Sequence, residues 1–286
     1  MNAHLQSNRV GDARAAAVSR LMQIGESERE ANTQVKMLFE CLFGFTSSDL
    51  VLNVNACFSE SELLQLHKAL NRLEQNEPIQ YVLGHAFFFG MKFNVSSHVL
   101  IPRPETEELV QWILDAELKR DLVLLDVGTG SGIIPVAVKK NRPEWKCMGM
   151  DVSVSALNIA KLNAQDLQAE IEWLHSDALG ELPFPQVDIL VSNPPYIPFG
   201  EKESMDKKVT QHEPELALFV EDQDPLIFYK AILNQALKMN PIPVVYFELH
   251  ERYAETTSEM AVEKGFSVEL KKDAQGKNRM LRCEVL

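Results

Sequence analysis

The chain has 286 residues, 45% of them hydrophobic, which suffices to bury a full core as one large domain or two unequal ones and argues against global disorder. Its net charge of −13 excludes broad, sequence-independent binding to nucleic acid, which needs Lys and Arg to neutralise phosphates, and favours a protein, peptide or small-molecule substrate. The four cysteines, Cys41, Cys57, Cys147 and Cys283, are scattered, with no CxxC and no His at ligand spacing, so they are expected to be buried reduced thiols and no metal site is expected.

At the amino terminus, "MNAHLQSNRVGD" lacks the basic start and apolar core of a signal peptide, and no apolar run reaches the ~18 residues of a membrane helix. A soluble cytoplasmic protein, free of membrane, is expected. From Ala13 to about Glu77, "ANTQVKMLFECLF" and "SESELLQLHKALNRLEQN" space apolar residues by three and four, a pattern of helices, with Ser59 or Ser61 placed to cap the second and Glu62 in its first turn. The following stretch, "EPIQYVLGHAFFFGMKFNVSSHVLIPRPETEELV", mixes aromatic and β-branched residues with Gly84 and Gly90, which suits a hairpin leading into a helix near Thr106. Glu105, Glu107 and Glu108 fall where acids favour the positive end of that helix.

Beyond Asp121 short apolar runs ("DLVLLDV", "KCMGMD", "EIEWLHSD", "VDILVSN", "PVVYFEL") alternate with helical stretches such as "VSALNIAKLNAQDL" and "PLIFYKAILNQALKM". That alternation predicts an α/β domain built on a mainly parallel sheet covered on both faces. The tail "FSVELKKDAQGKNRMLRCEVL" predicts an antiparallel pair at one edge of the sheet.

Two stretches carry chemistry. "LLDVGTGSGIIPVAV" joins a buried strand to a helix through Gly128, Gly130 and Gly132, with Thr129 and Ser131 between them, and glycines let the backbone approach a ligand at the carboxyl end of the strand. The third glycine falls one place early for the dinucleotide fingerprint GxGxxG, since Ile133 holds the last position. Asp151 closes the next strand and can accept both hydroxyls of an adenosine ribose, whether the ligand is a dinucleotide or S-adenosylmethionine. Asp177, closing the third strand, is placed to meet the adenine amino group.

The second stretch is "SNPPYIP", Ser192 to Pro198, at the end of the fourth strand. The Asn193 oxygen and the Pro194 carbonyl are positioned to accept both hydrogens of a planar NH2 group. Pro194 and Pro195 stiffen the backbone that aims that carbonyl, and Tyr196 can stack on the target plane. An amide or exocyclic amine is therefore the predicted target. An amide nitrogen is a poor nucleophile, so the motif would work by positioning it in line with a sulfonium methyl.

These motifs resemble class I S-adenosylmethionine-dependent methyltransferases of the PrmC/HemK type, which methylate a glutamine side chain in peptide chain release factors. The resemblance runs from about Glu77 to the carboxyl terminus, through "EPIQYVLG", "IPRPETEELV", "DVGTGSG", "VSNPPYIP", "EPELAL" and "KDAQGKNRML". It implies a Rossmann-like, seven-stranded mostly parallel sheet with one antiparallel edge strand and an N-terminal helical bundle. Three domains are expected: a helical substrate-binding domain over 1–78, a β-hairpin linker over 79–105 and the methyltransferase domain over 106–286. It further implies that Gly128 to Gly132, Asp151 and Asn193 bind S-adenosylmethionine, with Asp177 joining them on its place at the end of the third strand. Asn193, Pro194 and Tyr196 would be catalytic, and Arg103 and Glu105 would join Asn193 to Tyr196 around the substrate. The substrate would be the glutamine N5 of the Gly-Gly-Gln loop of class 1 release factors.

The chain departs from the family pattern at His250, which replaces a small residue, and at Pro225, which replaces a glycine. His212 in "QHEPE" has no second His at ligand spacing and is expected in a loop. Adenine-N6 methylation of nucleic acid shares the NPPY motif and is the alternative activity, opposed by the charge balance. A cofactor-binding module without catalysis is opposed by the intact Asn193 and Tyr196.

Overall fold

The computed structural model describes residues 7–181 and 186–285; the first residues of the "MNAHLQSNRVGD" segment lie outside them. The chain divides into two compact units, one running to Gly84 and taking in Lys207–His212, the other comprising His85–Asp206 and Glu213 onward.

The first unit is helical: α1 (Val10–Gln23), α2 (Glu28–Phe43), α3 (Asp49–Leu52), α4 (Glu60–Glu74) and α5 (Ile79–Leu83). Reciprocal capping boxes, Ser27 with Glu30 and Ser59 with Glu62, satisfy backbone donors at the starts of α2 and α4. The apolar faces meet in a core of Leu21, Val35, Leu38, Phe39, Leu66 and Leu70. Arg20 is buried beside that core and its guanidinium bonds Glu74 at 2.7 and 2.8 Å and Asn71 at 2.8 Å, which compensates its desolvation.

In the second unit, β1 (His85–Phe88) and β2 (Met91–Asn94) form an antiparallel hairpin, followed by α6 (Pro104–Ala116), which begins two residues earlier than the sequence suggests because Pro104 takes its first position. Then come β3 (Val123–Val127), α7 (Ile133–Asn141), β4 (Lys146–Asp151), α8 (Val154–Asp166), β5 (Ile171–His175), β6 (Ile189–Ser192) and β7 (Ile197–Pro198). Next in the chain, α9 (Lys207–His212) belongs to the helical unit, so the stretch read as a loop at His212 is the end of a short helix. The chain continues through α10 (Glu215–Leu218), β8 (Phe219–Val220), α11 (Ile227–Ala236), β9 (Val244–Glu248), α12 (Ala254–Glu263), β10 (Ser267–Lys272) and β11 (Asn278–Glu284).

Seven strands form one sheet in the order β10-β11-β9-β6-β3-β4-β5. All run parallel except β11, which is antiparallel to both neighbours. The reversed strand is therefore second from the edge rather than at it. Residues explain the swap: β11 buries Met280, Leu281 and Cys283, whereas β10 carries Glu269, Lys271 and Lys272 and suits the solvent-facing border. Alternate residues of the central strands feed two cores. Leu124 packs with Leu109, Ile113 and Val138 on one face, and Leu125 and Val127 pack with Tyr229, Ile232 and Ala254 on the other. Cys147 and Cys283 are buried, with thiols pushed up to about 12 by desolvation, while Cys41 and Cys57 are exposed, contrary to expectation.

The strand order places β3 between β4 and β6, so successive connections diverge at the carboxyl end of β3 and leave a crevice there. Ser192 at the end of β6 closes on β3 by donating its hydroxyl to the Val127 carbonyl at 2.6 Å.

Candidate active site

A cavity of about 280 Å3 opens at that crevice. One wall is the loop leaving β3. Both Gly128 and Thr129 donate backbone N–H groups to the Met150 carbonyl at 2.9 Å, which folds the loop across the end of β4. Gly128 and Gly130 have φ of +77° and +54°, and nothing lies within 4 Å of the position a Cβ would take at either. Only glycine adopts such angles without strain, and the open space is where a ligand can touch backbone. Gly132 serves differently: it lies outside the cavity wall, and a Cβ there would meet Trp173 at 2.7 Å and Ala160 at 3.0 Å. Asn163, fully buried on α8, donates to the Ser131 carbonyl at 2.9 Å and to the Asn94 carbonyl at 3.1 Å, tying the loop to the hairpin.

Asp151 closes β4 and lines the cavity. Its Oδ2 accepts from Gly130 N and its Oδ1 from Ser153 N, both at 2.8 Å. Burial holds its carboxyl above the usual range, and these backbone donors oppose the shift. Each oxygen keeps a lone pair for a ligand hydroxyl. Asp177 also lines the cavity, beside Ala178 and Leu179, but its exposed carboxylate accepts from Leu179 N at 2.9 Å and shapes the turn.

Opposite this loop stand Asn193, Pro194 and Pro195. They are held between β6 and β7, and β7 pairs in parallel with β8, so the strand pairing as well as the prolines fixes the segment. Tyr196 is not part of the cavity wall: its ring packs on the core, edge-on to His250 at 5.7 Å, and its hydroxyl donates to Glu248 Oε1 at 3.3 Å. Arg103 lines the cavity with its guanidinium 2.6 Å from Glu213 Oε1, while Glu213 Oε2 accepts from Ile101 N at 3.2 Å. Glu105 lies outside the wall. Glu107 and Glu108 are engaged elsewhere, accepting from Phe89 N at 2.6 Å and Ala274 N at 3.1 Å.

Two residues not singled out in the sequence complete the site. Thr106, buried in the first turn of α6, accepts from Asn193 Nδ2 at 3.3 Å and donates to Glu248 Oε2 at 2.6 Å. Glu248 ends β9, and burial pushes its carboxyl up to about 7, against the Thr106 and Tyr196 hydrogen bonds. The available signal for it was a single acid at the end of the apolar run "VVYFE". Among the described residues no group of three His, Cys, Asp or Glu could hold a metal ion, and no helix is long and apolar enough to cross a membrane.

Residues 105–213 match the family model described as methyltransferase small domain, and residues 12–84 match the PrmC N-terminal domain. The release factor glutamine methyltransferase of Flavobacterium psychrophilum is 38% identical, over 89% of this chain and 92% of that one. The enzyme of the same description from Bacillus subtilis is 34% identical, over 93% and 94% of the two chains. The chain belongs to the release factor glutamine methyltransferase family. It is thus a member of an S-adenosylmethionine-dependent enzyme family, and both of its units fall within the aligned length. Among solved structures, a methyltransferase from Pyrococcus furiosus superposes with a TM-score of 0.53 at 17% identity, covering 77% of this chain and 99% of that one. The hMettl16 catalytic domain does so with a TM-score of 0.52 at 16% identity, covering 80% and 82%. At those identities the likeness establishes the class I methyltransferase fold alone.

Proposed function

We propose that this chain methylates the side-chain nitrogen N5 of the glutamine in the Gly-Gly-Gln motif of class 1 peptide chain release factors, using S-adenosylmethionine. The observation that carries the reading is the orientation of Asn193, whose Nδ2 turns one N–H to Thr106 and so leaves Oδ1 on the opposite side of the amide. An oxygen there, beside the Pro194 carbonyl, suits the two N–H groups of a primary amide.

The residues present fit the methyl donor. Asp151 retains acceptor capacity for ribose hydroxyls, Gly128 and Gly130 leave open backbone, and Ala178, Leu179 and Phe228 give apolar surface for a base. Bound there, S-adenosylmethionine supplies an electrophilic methyl group. Asn193 and Pro194 would hold the amide so that its nitrogen, whose lone pair is delocalised, faces that methyl; the N–CH3 bond would form as the S–CH3 bond breaks, with S-adenosylhomocysteine as leaving group and the displaced N–H proton passing to solvent. Positioning of this kind lowers barriers by roughly 7–11 kcal/mol in the best intramolecular cases.

The helical unit is assigned the role of holding the release factor, a reading supported by the match of residues 12–84 to the PrmC N-terminal domain. A cytoplasmic location follows from such a substrate. The test is incubation with labelled S-adenosylmethionine and either a class 1 release factor or DNA, followed by mapping of the label. Label on the release factor glutamine supports the reading; label on DNA contradicts it.

A further inference from the structure

Asn193 can fill its proposed role only if its side-chain amide faces the cavity one way round. With Oδ1 outward it accepts a substrate N–H; rotated by half a turn it presents an NH2 group that repels one. The outward face itself does not enforce the choice. What enforces it is the Thr106 hydroxyl, which shares the cavity wall with Asn193, and behind it Glu248, which does not reach that wall.

Three side chains form a hydrogen-bonded chain whose direction is set from its far end. Glu248 sits at the end of β9 with 2% exposure. As a carboxylate it accepts and never donates. The Thr106 hydroxyl, 2.6 Å from Glu248 Oε2, must therefore commit its single proton to the acid. Having done so, Thr106 Oγ1 offers only lone pairs to Asn193, which lies 3.3 Å away and must meet it with N–H. Glu248 Oε1 is occupied by the Tyr196 hydroxyl at 3.3 Å, so both carboxylate oxygens accept from the segment or helix that frames the amide site.

We propose that Glu248, acting through the Thr106 hydroxyl, is the positioning residue that fixes the amide orientation of Asn193 and so keeps an acceptor facing the NH2 group to be methylated. This rests on the reading of Asn193 as the amide acceptor. Glu248 is not part of the cavity wall and is not a catalytic residue. Its influence depends on being ionised, because a protonated acid can donate to Thr106, free the threonine proton to point at Asn193, and reverse the chain. The groups facing Glu248 are Thr106 and Glu105 on α6, Tyr196 after β6, Tyr229 on α11, whose hydroxyl bonds the Glu248 carbonyl at 3.0 Å, and Arg279 on β11. Burial and Glu105 favour the neutral acid; Thr106, Tyr196 and Arg279 favour the carboxylate. Protonation near pH 7 is the consequence.

The experiment measures methyl transfer to a release factor across pH for the wild type, Glu248→Gln, Thr106→Val, Thr106→Ser and Asn193→Ala, with S-adenosylmethionine affinity by calorimetry. Glutamine keeps the size of Glu248 and removes its charge, but its NH2 can donate to Thr106. Glu248→Gln and Thr106→Val are expected to lower kcat at least tenfold with S-adenosylmethionine affinity held within about threefold, while Thr106→Ser, which keeps the hydroxyl, stays within about threefold of wild type. Wild-type kcat should fall below pH 7 and that of Glu248→Gln should lose this limb. If Asn193→Ala is inactive while Glu248→Gln keeps wild-type kcat and pH profile, the inference is overturned. If Asn193→Ala itself keeps wild-type kcat, the amide reading of the site fails instead. Should Thr106→Val not fold, the pH limb of Glu248→Gln and the activity of Thr106→Ser decide.

Discussion

Gly132 and Trp173 pack so closely that a Cβ on the glycine would stand 2.7 Å from the indole Cη2. The glycine also has a φ of +78°, where a side chain is strained. Overpacking costs typically 1–3 kcal/mol, and an L-residue in the left-handed region about 1–2 more. Gly132→Ala is therefore expected to destabilise the methyltransferase unit by about 2–5 kcal/mol, read as a lower midpoint in denaturant. Gly130→Ala, with open space at its Cβ, should cost less stability and more S-adenosylmethionine affinity. Equal losses of stability would contradict the division of labour between the two glycines.

Asp151 and Asp177 both line the cavity, yet they are held differently. Asp151 is braced by two backbone donors at 2.8 Å and lines the cavity with acceptor capacity to spare. Losing a charged hydrogen-bond partner costs about 1.5–3 kcal/mol, so Asp151→Ala should weaken S-adenosylmethionine binding by roughly ten- to a hundredfold in calorimetry. Asp177 is exposed and spent on Leu179 N. Asp177→Ala should weaken binding by a smaller factor; the reverse ranking would show that the acid after β5, not the one after β4, anchors the nucleoside.

Asp126 is 1% exposed on β3, and burial pushes its carboxyl up to about 7 against the weak help of the neighbouring Thr129 hydroxyl, which lies outside good hydrogen-bond geometry. A raised acid carries no penalty below its unfolded value of 3.8, and the penalty grows as pH rises through the folded value. A shift of that size corresponds to at most about 4 kcal/mol. Glu248 adds a loss of the same sign. Between about pH 4 and about pH 8, Asp126→Asn should lose less stability than the wild type, measured by denaturant unfolding at each pH. A variant with an unchanged stability–pH slope would show that Asp126 is not neutral in the folded protein at low pH.

The alternation of apolar runs and helical stretches made the parallel sheet legible, because strands buried on both faces leave continuous hydrophobic segments. The glycine loop and NPPY were legible for a related reason: φ-positive glycines and paired prolines are local signals. What stayed hidden depends on partners far apart in the chain. Thr106 reads as an ordinary residue of a helix start, and only the fold sets it against Glu248, 142 residues on. Gly132 reads as part of the ligand loop until the Trp173 ring is in place. Tyr196 looks like a stacking surface, but the buried Glu248 draws its hydroxyl inward. The swap of β10 and β11 follows from which half of the hairpin is apolar, a difference that the pairing pattern alone does not order.

On the proposed reading, Asn193 holds a glutamine amide for methylation. The decisive measurement is tandem mass spectrometry of a class 1 release factor incubated with S-adenosylmethionine and either wild-type protein or Asn193→Ala. One methyl group is expected on the side chain of the Gly-Gly-Gln glutamine with the wild type, and loss of that methyl with Asn193→Ala while S-adenosylmethionine still binds. Methylation of another residue type, or an undiminished glutamine signal with the variant, would contradict that reading.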